Sequence, residues 1–190
     1  MSNGKAKGSE EERKICKYLS KWLTGSERPY QFWRTSNSGG TSTVIAENIH
    51  MTGDITAITP EARWVTDLFS VEIKVGYPQV DLMDHLKNRK STEIEDFWKQ
   101  CNKDAERAHK YPLLVFHRKR FPVVVGFSRT IEDMFPWSAS LTHRLKCVSL
   151  MFTYKDGKEY LPTLYIYNFE EFFELISPEE LKTLNAKTIN

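Results

Sequence analysis

Gly53-Asp54-Ile55 and, further along, Val71-Glu72-Ile73-Lys74-Val75 are the two runs that decide the architecture. Side chains alternate across a strand, so Glu72 and Lys74 share one face while Val71, Ile73 and Val75 take the other. Asp54 ends an adjoining β-type run. Two carboxylates and an ammonium on one sheet face are costly to bury unless something occupies the space between them. A divalent cation together with a phosphate would do so.

Working outward, the rest of the chain supplies an ordinary folded framework. Its 190 residues carry a net charge of +2 from 27 basic and 25 acidic side chains, with 27% charged and 13% aromatic residues. That balance is too mild to imply nucleic-acid binding, so any DNA footprint must come from clustering. Clusters stand at Lys5 and Lys7, at Lys87-Asn88-Arg89-Lys90 and at His117-Arg118-Lys119-Arg120. Cys16, Cys101 and Cys147 are far apart and odd in number, which argues for reduced thiols and against a disulfide frame or a zinc site. No apolar run reaches bilayer-spanning length and Met-Ser-Asn-Gly-Lys is no signal peptide, so a cytoplasmic protein without membrane contact is expected.

Local signals predict a small polar arm over 1–8 and a helix over 9–23, with Ser9 and Glu12 as a capping box and Gly25 as its end. Residues 28–49 read as a loop whose most flexible part is Thr35-Ser36-Asn37-Ser38-Gly39-Gly40. Strands are expected over 53–59, 64–68 and 69–75 as a meander turning at Pro60-Glu61-Ala62. A helix over 92–109 carries Ile94, Phe97, Trp98, Cys101 and Ala105 on one side. Strands over 113–117 and 123–127 flank the basic turn. Strands over 147–154 and 161–168 form a hairpin around Lys155-Asp156-Gly157-Lys158, and two short helices close the chain at 169–176 and 178–184. The expected organisation is an arm at 1–8, a core at 9–127 and an extension at 128–190 packed on it. The fold class is α/β, a mixed β-sheet flanked by helices.

The first helix opens on three glutamates, and periodicity separates them. At about 100° per residue, Glu12 falls among Ile15, Cys16, Leu19 and Leu23, Glu11 lies at the edge of that stripe, and Glu10 points away. A carboxylate heading a buried stripe needs a partner. Capping and dipole compensation would satisfy it; alongside Asp54 and Glu72, a place in the same site is expected.

These residues resemble the catalytic core of the PD-(D/E)xK nuclease superfamily, with Gly53 where proline is usual. Lys7-Gly8 before Glu12-Arg13, the loop Arg34-Thr35-Ser36-Asn37-Ser38-Gly39, then Asp54, Glu72-Ile73-Lys74, a helix and the strand at 112–116 are similar in order to archaeal-type Holliday-junction resolvases. The resemblance implies a restriction-endonuclease-like fold over roughly residues 5–127 and a DNA endonuclease using Mg²⁺ or Mn²⁺. It implies that Asp54, Glu72 and the carbonyl of Ile73 hold the cation, with Glu12 reaching it directly or through water. Lys74 would act on the attacking water, and Gln100 would stand beside the site. Lys7, Arg34, Ser38 and Gly39 would bind phosphates near the cut, and Arg118, Lys119 and Arg120 would add backbone contacts. A junction resolvase would also be a homodimer. A restriction-type or nicking endonuclease is an alternative, as is an inactive DNA-binding protein of the same fold; the intact Asp54, Glu72 and Lys74 argue for activity. Phe32 and Trp33 are expected to pack, leaving no aromatic ladder near the loop, so duplex or branched DNA read through its backbone is the expected substrate.

Overall fold

The computed structural model describes residues 3–35, 52–83, 92–136, 144–152 and 161–187. Helix α1 (Asn3–Thr24) comes first. It starts well before the Ser9 cap that the sequence suggested and ends where Gly25 adopts a positive φ of 76°. Strands β1 (Phe32–Arg34) and β2 (Ile55–Ala57) pair antiparallel, with Trp33 opposite Thr56. The strand β1 corrects the expectation of a continuous loop over 28–49. Three residues are too short a run to show alternation, and the partner is more than twenty positions away.

A second correction falls between β2 and the next strand. Residues 64–68, read as the middle of a meander, form helix α2 (Arg63–Leu68) behind a 3-10 turn at Pro60–Ala62. Trp64 and Val65 are strand formers by propensity, but Val65 and Leu68, three apart, both face the core. Burial at helical spacing overrides propensity here.

Strand β3 (Phe69–Val75) then enters a five-stranded sheet with β4 (Tyr111–His117), β5 (Val124–Phe127), β6 (Cys147–Leu150) and β7 (Leu164–Asn168) in the order β3-β4-β5-β7-β6. The β3–β4 pair is parallel and the others are antiparallel. Helix α3 (Glu93–Arg107) makes the crossover between the parallel strands, as such a connection requires. A single turn, α4 (Ile131–Met134), follows β5, and α5 (Phe169–Leu175) and α6 (Pro178–Lys187) follow β7. The fold is the mixed, helix-flanked sheet expected of the restriction-endonuclease class.

Alternation along the strands divides the core in two. Val71, Ile73, Leu113, Val115, Val125 and Tyr167 pack against Ile15 and Leu19 of α1 and Phe169, Phe172 and Phe173 of α5. On the other face Leu114, Phe116, Leu164 and Ile166 pack against Ile94, Phe97, Trp98 and Cys101 of α3. Trp98 is wholly buried, and its indole N–H donates to the Pro162 carbonyl at 2.7 Å. The segment read as an extension thus contributes β6 and β7 to the sheet and α5 and α6 to its core. Among the described residues no helix is long and apolar enough to cross a membrane. Cys16 and Cys101 are buried and Cys147 is exposed, and all three are free thiols.

Candidate active site

Strand β3 is the outer, parallel edge of the sheet, and Asp54 is stitched to it. The Asp54 N–H donates to the Val71 carbonyl at 2.7 Å, and Asp54 Oδ2 accepts from the Ile73 N–H at 2.7 Å. Gly53, bridged to Val71, makes this approach feasible. Its φ is +94°, and a Cβ there would stand 2.6 Å from the Val71 oxygen and 2.8 Å from its nitrogen. Proline, with φ held near −65°, cannot replace it in this conformation. The amide and carbonyl of a strand residue leave by the same edge, so the Ile73 carbonyl is directed to the side from which Asp54 binds its N–H.

Glu72 and Lys74 project to the opposite face from Val71 and Ile73, as alternation predicted. Their register partners are Leu114 and Phe116, both in the core beneath α3. Lys74 Nζ lies 2.5 Å from Glu72 Oε1. It also donates to Gln100 Oε1 at 3.0 Å and sits 5.5 Å from the centroid of the Phe97 ring. Gln100 is therefore beside the acid–lysine pair, the position that the resemblance implies for it.

Asp54 and Glu72 are 8% and 7% exposed. Burial, with the neighbouring Asp54 charge, pushes the Glu72 carboxyl up to about 7, against the pull of Lys74. For Lys74 burial acts downward, but the charges of Glu72 and Asp54 outweigh it and hold the ammonium above its ordinary value. Asp104, on α3 four residues after Gln100, also raises Glu72 and forms a 3.0 Å pair with Arg107. The sequence reading missed Asp104, although its i+4 spacing from Gln100 places both on one helix face.

The donor set fits a hard divalent cation: two buried carboxylates with the one ammonium of Lys74 bonded to Glu72 leave negative charge under-compensated. Among the described residues, no group of three or more Asp, Glu, His or Cys side chains forms a ready-made cage. Glu12 accepts from Arg34 Nε at 2.8 Å, and its side chain is 17% exposed. Glu11 pairs with Lys14 and lies 3.3 Å from His117 Nδ1, while Glu10 is exposed, the order that helix periodicity gave.

Of the expected DNA contacts, Arg34 is held by Glu12. Arg118 donates to the Val80 carbonyl at 3.1 Å and lies over the Phe121 ring, while Lys119 and Arg120 are exposed at the turn after β4. Ser38, Gly39 and the cluster at 87–90 lie outside the described residues, as does the side chain of Lys7. Phe32 is wholly buried, but Trp33 is 40% exposed, which corrects the expectation that both pack.

A helix-flanked mixed sheet with an aspartate beside its edge strand and a Glu-x-Lys pair on that strand defines a PD-(D/E)xK nuclease core. The profile of the family described as "Phage putative PDDEXK endonuclease" matches residues 3–183, and the chain belongs to that family. The match takes in the carboxy-terminal strands and helices as well as the acid–lysine pair. No curated protein and no solved structure matches the chain.

Proposed function

We propose that this protein is a divalent-metal-dependent DNA endonuclease that hydrolyses phosphodiester bonds at the edge of β3, reading duplex or branched DNA through its backbone. The observation that carries this reading is the buried Asp54 and Glu72 pair with Lys74 bonded to Glu72, in a chain of an endonuclease family. Asp54, Glu72 and the Ile73 carbonyl would hold Mg²⁺ or Mn²⁺, with Glu12 contributing once it is released from Arg34. A cation there supplies Lewis acidity toward the scissile phosphate and lowers the pKa of water.

The remaining steps belong to the chain's own groups. Lys74 keeps its proton at neutral pH, so it acts as a fixed cation and hydrogen-bond donor toward the developing phosphorane charge. Gln100 holds the ammonium in place. Attack of water forms a new P–O bond as the bond to the departing sugar oxygen breaks, the water giving up its proton to solvent and the departing oxygen taking one from solvent. Arg34, once parted from Glu12, offers its guanidinium to a flanking phosphate. Lys119 and Arg120 add salt-sensitive backbone contacts.

Incubating purified protein with Mg²⁺ and matched plasmid, linear duplex, four-way and single-stranded DNA tests this reading. Asp54→Asn and Lys74→Met should each lower the cleavage rate by about a hundredfold or more while circular dichroism is preserved. Wild-type rates in both variants would remove the site from the chemistry. A marked preference for four-way DNA would place the enzyme with junction resolvases, and a single cut sequence would make it restriction-type.

A further inference from the structure

On the exposed side of the β1–β2 ribbon stand three side chains with no part in the chemistry above. The Trp33 ring centroid lies 5.5 Å from that of Tyr30, with the planes tilted by 44°. The Arg28 guanidinium carbon lies 5.3 Å from the Tyr30 centroid, and its Nη2 is 3.4 Å from the phenol oxygen. Guanidinium, phenol and indole thus follow one another in a short series. Ile58, 54% exposed, extends the apolar surface at the end of β2.

The ribbon ties this series to the candidate active site. Trp33 is paired with Thr56, which stands two positions along the chain from Asp54. The Thr35 N–H donates to the Asp54 carbonyl at 2.8 Å, so the chain that carries Trp33 closes directly on Asp54. Two strand positions amount to roughly 7 Å, about twice the roughly 3.4 Å per nucleotide of a duplex strand. A base one or two nucleotides from the scissile phosphate falls at that distance. Inside continuous duplex its face is covered by neighbouring bases; at a gap, branch or mismatch it is free to leave the stack.

We propose that Trp33, Tyr30 and Arg28 form a stacking site for an unpaired DNA base, and that the preferred substrate is therefore interrupted duplex. This rests on the nuclease reading and narrows its substrate class. The occupant must offer a flat π face to the indole and negative charge to Arg28, and a nucleotide has both.

The experiment measures binding in EDTA at low salt, where cleavage is arrested, to a gapped duplex with 2-aminopurine at the gap and to the matching continuous duplex. Binding by the full chain should quench the aminopurine. Trp33→Ala should raise the Kd for gapped DNA by roughly tenfold or more, the loss expected for one stacked base. It should leave the Kd for continuous duplex unchanged, and Trp33→Phe should retain most of the affinity. Equal affinity of Trp33→Ala and wild type for gapped DNA, or an equal loss on both substrates, overturns the stacking site. Cleavage in Mg²⁺ is scored separately. Trp33-dependent binding without any cutting would uphold the stacking site and sink the nuclease reading. Cutting that is indifferent to Trp33 would do the reverse.

Discussion

Glu72 sets the electrostatic character of the site. Its carboxyl titrates near its ordinary 4.5 in the unfolded chain and at about 7 in the folded protein, because burial and Asp54 disfavour its charge. The folded state therefore binds the proton more tightly. The stability this contributes is fully present below 4.5 and is lost as pH rises through about 7. In EDTA, the wild-type melting temperature should fall between pH 5 and 7.5 through this group, and Glu72→Gln should flatten that part of the curve. Mn²⁺ should restore wild-type stability at pH 7.5 far more than it stabilises the variant if, as proposed, the ionised Asp54 and Glu72 hold it. A wild-type profile that keeps rising to pH 7.5 and matches that of Glu72→Gln would rule out a Glu72 carboxyl raised by burial and Asp54. At the same scale, Gly53 shows why a motif read as letters misleads. The usual proline and this glycine both precede the aspartate, yet a φ of +94° belongs to a different backbone path.

Elements were legible where one segment carried its own signal. The period-2 pattern of β3 gave the correct faces for Glu72 and Lys74, and the apolar stripe of α3 gave the helix, while the place of Gln100 came from the family resemblance alone. Helix α2 and strand β1 were not legible, because their conformations are fixed by partners distant in sequence. The ion pair of Glu12 with Arg34 is of the same kind: it joins α1 to β1, and no local pattern announces it. It also makes Glu12 conditional as a cation ligand. With Arg34→Ala the carboxylate is released, so Mn²⁺ affinity should rise while DNA affinity falls. Glu12→Gln should then weaken Mn²⁺ binding about tenfold in the Arg34→Ala background, and by less in the wild type, where the pair holds the carboxylate back. Isothermal titration of the four proteins gives the cycle. If Glu12→Gln has no effect in either background, Glu12 serves Arg34 alone.

At the scale of the molecule, the acid–lysine edge is stable because the far end of the chain packs beneath it. Phe172 stands 4.8 Å from Phe127 and 5.2 Å from Phe173, and Phe173 lies 5.1 Å from Trp22 of α1. The Trp22 indole N–H donates to the Ile176 carbonyl at 2.8 Å. This aromatic cluster clamps α1 and α5 onto the face of the sheet opposite Glu72. The sequence shows the hairpin and the helices as an extension packed on the core, and nothing local in it records that β7 pairs with β5. Phe172 is wholly buried, so Phe172→Ala should cost about 3–5 kcal/mol, read as a lower urea midpoint. The lesion lies across the sheet from the acids, so at temperatures where the variant stays folded its cleavage rate per folded molecule should match wild type. Ending the chain after residue 127 is a harsher version of the same test. It removes α4, β6, β7, α5 and α6, uncovers Val125 and Phe127, and should abolish cooperative unfolding. A truncated chain that still melts cooperatively and cuts DNA would show that residues 9–127 form an independent core and that the rest is an addition to it.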